Sequence, residues 1–296
     1  MAKRILLFLL TNILVVSVIS FLMYILNIQP YLTKNGLNIP NLAAFCLLWG
    51  MGGAFISLLM SKMMAKWMMG VRIIDPENCN STDRALVYTV HDLARKAGLS
   101  KMPEVGIYQS PDINAFATGP SRSNSLVAVS SGLLNRMNKD EAEGVIGHEI
   151  AHIANGDMVT MCLLQGVINA FVMFLARAVA FIISQGFKSK DEKSSPSPFL
   201  NYMLVMFLQT VFMLLGSLVV AKFSRYREFR ADNGGARLAG RDKMINALIA
   251  LKNSTIPQQE GKPAFQALQI SNRTSNFMSL FATHPPLDER IARLRQ

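Results

Sequence analysis

Residues 138–157 read NKDEAEGVIGHEIAHIANGD. Within that stretch, His148-Glu149-Ile150-Ala151-His152 spells H-E-x-x-H. On a helix, positions i and i+4 share a face, so both imidazoles can reach one metal ion. Glu149, beside the first imidazole, is placed to polarise a water molecule there. The acidic Asp140, Glu141 and Glu143 follow Asn138 and suit the first turn of a helix. The spacing therefore predicts a helix over 138–154. Only four histidines exist in the 296 residues, and two of them fall in this register.

A catalytic zinc takes three protein ligands and keeps a fourth position for water. The extension H-E-x-x-H-x-x-G-x-x-H is absent, because Asn155 and Met158 occupy its last two marked positions. His91 and His284 are the other histidines, and His91 reads as an ordinary polar position on a helix. A downstream carboxylate is the better third ligand. Arg227-Glu228-Phe229-Arg230-Ala231-Asp232 has helical spacing, with Glu228 and Asp232 at i and i+4. Glu228 is then placed to ligate, and Asp232 to hold a ligand histidine through its other ring nitrogen.

The surrounding chain belongs in a bilayer. It is 51% hydrophobic and 17% charged, with mean hydropathy +0.28. Average soluble domains carry about a quarter charged residues. Ile5–Leu26 holds 22 residues without a charge, and Leu42–Met60 is a second such run, with Gly50, Gly52 and Gly53 offering a close-packing face. The first run follows Lys3 and Arg4, exceeds a signal-peptide core in length and lacks a small-x-small cleavage site, so it reads as a retained anchor. Met158–Ser184 and Phe199–Ala221 form a second apolar pair around the polar loop QGFKSKDEKSSPSP. Gln165, Asn169 and Arg177 give the third run one polar face. Two readings compete: a transmembrane hairpin with that face turned inward, which is favoured, or a pair that lies shallow and partly in the protein.

Lys3/Arg4, Lys62/Lys66 and Lys222/Arg225 flank the runs and place the N-terminus and both polar segments in the cytoplasm. The net charge of +11 is that asymmetry, so no nucleic-acid partner is needed. Cys46, Cys79 and Cys162 are too few and scattered for a disulfide framework. The organisation is thus 1–60, two spans; 61–157, the first cytoplasmic part; 158–221, the hairpin; and 222–296, the second cytoplasmic part. Short alternating runs such as Ser125–Val129 give a small sheet in a mostly helical chain. His152 lies about six residues before the third span, and a hairpin returns the chain to the face it left. Glu228 can therefore come back beside His152.

HEIAHIANGD, REFRAD and THPPLDER together resemble the HtpX family of bacterial integral-membrane zinc endopeptidases. That family is linked to heat-shock quality control and related to the CAAX prenyl-protein endopeptidases. The resemblance covers essentially the whole chain. It implies an α-helical membrane protein carrying an α+β zincin-like (gluzincin) metalloprotease domain in the inner membrane. It also implies one zinc per subunit on His148, His152 and Glu228, with Glu149 as base and Asp232 behind a ligand. The implied partners are the lipid bilayer and membrane-protein or unfolded polypeptide substrates. In related enzymes the pattern of His284 and Arg290 lies near the site, where both could stabilise an oxyanion. Asn114-Ala115-Phe116 resembles the edge-strand segment that holds substrate backbone in such proteases.

Two other classes compete. A membrane-embedded binding protein or holdase would close the metal site with a fourth protein ligand. A transporter would need a polar path through the spans, for which Gln165, Asn169 and Arg177 are the only motive.

Overall fold

The computed structural model describes residues 39–186, 197–255 and 282–296. The first expected span, Ile5–Leu26, its basic flank at Lys3/Arg4 and most of the loop after Ser184 lie outside these residues. The chain divides into two compact units over its described residues: Met1–Ser57 with Cys162–Ser217, and Leu58–Met161 with Leu218–Gln296. In chain order the elements are α1 (Ile39–Met68), β1 (Arg72–Ile73), α2 (Ser81–Lys96), β2 (Glu104–Tyr108), β3 (Ala115–Ser121) and β4 (Asn124–Ser130). They continue with α3 (Ser131–Arg136), α4 (Lys139–Asn155), α5 (Asp157–Gly186), α6 (Pro198–Ala239), α7 (Arg241–Thr255) and α8 (Leu287–Arg295).

Among the described residues, three helices are long and apolar enough to cross a membrane: α1, α5 and α6. Their outward side chains, Leu48, Phe171, Ile182, Phe199 and Phe207 among them, are exposed. An apolar surface of this kind is what lipid covers. Within the first unit, α1 and α5 approach closely at glycine: a Cβ on Gly50 would sit 2.7 Å from the Ala170 Cα, and one on Gly166 2.7 Å from the Met51 Sδ. Gly52, expected to share that role, has nothing within 4 Å. Gln165 donates to Asn169 within α5, and Arg177 donates to the Met173 carbonyl with its guanidinium 5.9 Å from the Phe45 ring centroid.

The second unit carries a four-stranded mixed sheet of order β1-β2-β4-β3. β2 and β4 are parallel, and the other two pairs are antiparallel. One side of the sheet packs on α2 and α4. Val90 and Leu93, Val105 and Ile107, and Val127 and Val129 close on Ile146, Ile150 and Ile153. The three isoleucines repeat at four and three residues, the spacing of one helix stripe. α2 begins at Ser81, where the Asn80 side chain caps it by accepting from the Asp83 N–H. At α4 the Asn138 and Glu141 side chains form a reciprocal capping box. His91, on α2, faces the Pro103 carbonyl at 3.2 Å, the structural role its sequence context indicates.

Candidate metal centre

α4 carries the two imidazoles on the stripe opposite its isoleucines, so the packing that fixes the helix also fixes their direction. The helix ends at Gly156, whose φ of 71° is the left-handed cap that glycine adopts without strain. That turn brings Asp157 back under the last helical turn. Its Oδ2 lies 2.6 Å from His152 Nδ1.

The third residue arrives on α6. The apolar run ends at Ala221, and one helix continues past it through to Ala239. Its buried positions Ala221, Ser224, Glu228, Ala231 and Gly235 step by three and four, so a single face stays covered after the lipid-like sequence ends. Gly234 and Gly235 let this helix press against α4. A Cβ at 234 would lie 2.6 Å from the Ala151 Cβ, and one at 235 would lie 2.9 Å from the His148 amide nitrogen.

His148, His152 and Glu228 are all buried, and one ligand atom from each lies within 4.8 Å of the others. His148 Nε2 is 3.1 Å from His152 Nε2 and 3.5 Å from Glu228 Oε2. His152 Nε2 is 3.4 Å from Glu228 Oε1. Tetrahedral zinc with bonds near 2.0–2.1 Å has ligand atoms about 3.4 Å apart. The observed triangle fits that size.

The protonation pattern argues the same way. His148 Nδ1 faces Asp232 Oδ1 at 3.0 Å, and His152 Nδ1 faces Asp157. With both Nδ1–H groups donating to carboxylates, both Nε2 lone pairs and a carboxylate point at one spot. Three electron-rich atoms at this spacing need a cation among them. Without one, burial pushes the His148 pKa down, but the hydrogen bonds to Asp232 and Glu228 more than reverse this, raising it to about 9. A proton then does part of the cation's work.

The remaining predicted residues fall as follows. Glu149 is half-buried beside the imidazoles and hydrogen-bonds to none of the described residues. His284 Nδ1 lies 2.9 Å from Glu228 Oε2, although 52% of its side chain is exposed. Arg290, on α8, is buried and grips Asp232 with two nitrogens at 2.8 and 2.6 Å. Its Nη2 also stands 3.4 Å from His148 Nδ1. Arg227 Nη2 also donates to Glu228 Oε1, at 3.2 Å. Asn114 and Ala115 stand at the start of β3, the outer strand, with the Asn114 amide donating to Ser130 Oγ.

Asp157 was missed by sequence reasoning. It lies five residues beyond His152, off the helical face, and only the left-handed turn at Gly156 returns it. The Gly-Asp pair directly after the motif was the available signal.

The model of peptidase family M48 matches residues 80–296. The chain belongs to peptidase family M48. The M48 chain is 50% identical over 301 residues to "Protease HtpX homolog" of Bacillus velezensis, covering 99% of each. It is 53% identical over 295 residues to "Protease HtpX" of Aeromonas hydrophila subsp. hydrophila, again over 99% of each. The HtpX resemblance of the sequence is thereby established, and with it a membrane metalloprotease. The crystal structure of S. mikatae Ste24p shares its fold, with TM-score 0.57 and 19% identity over 92% of this chain and 66% of that one.

Proposed function

We propose that this membrane metalloprotease binds one zinc ion on His148, His152 and Glu228 and hydrolyses peptide bonds with Glu149 as general base. The ligand triangle of 3.1–3.5 Å, backed by a carboxylate on each imidazole, carries the proposal. Zinc held there would supply Lewis acidity to a water molecule and to the scissile carbonyl.

Each neighbouring side chain has its own task. Glu149, free of other hydrogen bonds among the described residues, accepts the proton of the attacking water and passes it to the leaving amine nitrogen. Asp232 and Asp157 hold the two imidazoles in the tautomer that turns Nε2 inward. Arg290 neutralises Asp232 and fixes its carboxylate plane, a positioning task in place of the oxyanion contact suggested for it. His284, half exposed at the edge of the site, is the group placed to donate to a developing oxyanion.

The substrates are membrane proteins and unfolded segments close to the bilayer, as a quality-control protease of the inner membrane requires. Support comes from α5, whose apolar span starts directly after the metal helix, and from basic residues at Lys62, Lys66 and Lys222 that mark the cytoplasmic side. Three protein donors, and no fourth among the described residues, favour catalysis over a purely structural metal site.

Glu149→Gln tests the reading. Cleavage of an unfolded membrane-anchored reporter should fall by roughly 10²–10⁴-fold while bound zinc, measured by elemental analysis, stays at one per chain. Undiminished proteolysis in that variant removes the assignment.

A further inference from the structure

Arg225 and Glu228 stand at i and i+3 on α6, the spacing that sets two side chains next to each other on a helix. Both reach the same short stretch of chain. Arg225 Nη1 donates to the Ala282 carbonyl at 2.8 Å, and Glu228 Oε2 lies 2.9 Å from His284 Nδ1. A single turn of α6 thus holds two residues that are two positions apart in the sequence. Ala282, Thr283 and His284 are all exposed, so packing does little to fix them. Their placement depends on hydrogen bonds and on the chain to either side.

The C-terminal side of this stretch is firmly anchored. Pro285 is buried, and the rings of Pro285 and Pro286 each fix a backbone φ. α8 follows at once. Its Ile291 and Leu294 pack on Met244 and Leu248 of α7, and its Arg290 grips Asp232. Lys252 of α7 donates to Asp288 Oδ1 at 2.6 Å. His284 therefore has a stiff support directly after it. Before it stands the Arg225 bond, two residues away.

We propose that Arg225 is a positioning residue for the hydrolysis: by holding the Ala282 carbonyl it keeps the His284 imidazole on Glu228, and so beside the metal centre where the oxyanion forms. The inference rests on the protease reading above and on the task given there to His284. Nδ1 is taken up by Glu228, which leaves Nε2 for the substrate. A donor to an oxyanion is effective when it is already in place as charge develops. A half-exposed imidazole on a chain held from one side only samples several positions, and most of them lose the contact. The second support restricts that freedom. Because the bond ends on a main-chain carbonyl, Arg225→Ala removes the clamp without removing any of the three proposed ligands.

Variants of the full-length protein, assayed on an unfolded membrane-anchored reporter, test this. Arg225→Ala should lower kcat about 10–100-fold, between the worth of one hydrogen bond from a charged donor and that of a misplaced group, with KM and bound zinc unchanged. Arg225→Lys, which still donates, should regain part of the loss. His284→Ala should lower kcat about 10²–10³-fold, and adding Arg225→Ala to it should cost nothing further, since the clamp then has no imidazole to hold. In zinc-free protein, the Thr283 and His284 amides should exchange hydrogen faster in Arg225→Ala than in the unaltered chain. An undiminished kcat in Arg225→Ala, no regain in Arg225→Lys, a loss that multiplies with that of His284→Ala, a loss of zinc, or unchanged exchange each overturns the clamp. Full activity in His284→Ala removes the task given to His284 and this inference with it, and leaves the protease reading intact. If the unaltered chain cuts no faster than Glu149→Gln, the protease reading itself fails.

Discussion

Two carboxylates hold the paired imidazoles from behind, and each has a measurable share in the site. Asp157→Asn replaces an acceptor 2.6 Å from His152 Nδ1 by an amide that can present its NH2 group instead. Zinc affinity should fall about 10–100-fold, measured by competition with a chromophoric chelator. Arg290→Ala acts differently. It leaves the Asp232 carboxylate, 2% exposed, without its bidentate partner. Breaking a buried pair from one side costs about 3–5 kcal/mol. Thermal unfolding should therefore show a clear fall in Tm, and an unchanged Tm would count against Arg290 as the holder of Asp232. At this scale the sequence was legible where the residues lie within one helical turn of each other. His148, Glu149 and His152 could be placed by spacing alone. The Arg290–Asp232 grip spans 58 positions and could not, because nothing local ties a C-terminal helix to that carboxylate.

Helices could be read from the chain wherever a stripe of apolar residues repeated at helical spacing. Their ends were harder to place. α6 passes from a lipid-like composition to a charged one with no break, since a buried face continues at positions 224, 228, 231 and 235. That continuity makes Glu228 rigid relative to the helix that carries it. The fit of α6 against α4 depends on Gly235, where a Cβ would stand 2.9 Å from both the His148 nitrogen and the Met244 Sδ. Backbone cannot yield as a flexible side chain can. Gly235→Ala should cost about 1–3 kcal/mol and weaken zinc binding, with Gly52→Ala, which meets nothing within 4 Å, as the control. Equal behaviour of the two variants in denaturation and zinc titration would show that the close approach is not what sets the site.

For the molecule as a whole, the proposed metal site joins segments that no short-range force would bring together. α4 and the far part of α6 are separated in sequence by the α5 span and the apolar part of α6. An ion binding only the folded form adds stability as its free concentration rises above Kd, about 2.7 kcal/mol at a hundredfold excess. Chelation should therefore lower the Tm of the detergent-solubilised protein, and zinc should restore it in a concentration-dependent way. A Tm indifferent to chelator, in protein shown to have lost its metal, would mean that the site contributes nothing to holding these segments.

By itself the sequence determined that the chain enters a bilayer and that one helix presents two imidazoles and a carboxylate, and it offered Glu228 as the candidate third donor. These conclusions follow from composition and from periodicity over a few turns, which are local properties. Only the tertiary structure decided that Asp157 turns back onto His152 and that Arg290 is spent on Asp232. Each of these depends on a backbone turn or on contact between distant segments. Such arrangements are set by packing of the whole unit, which no window of sequence contains.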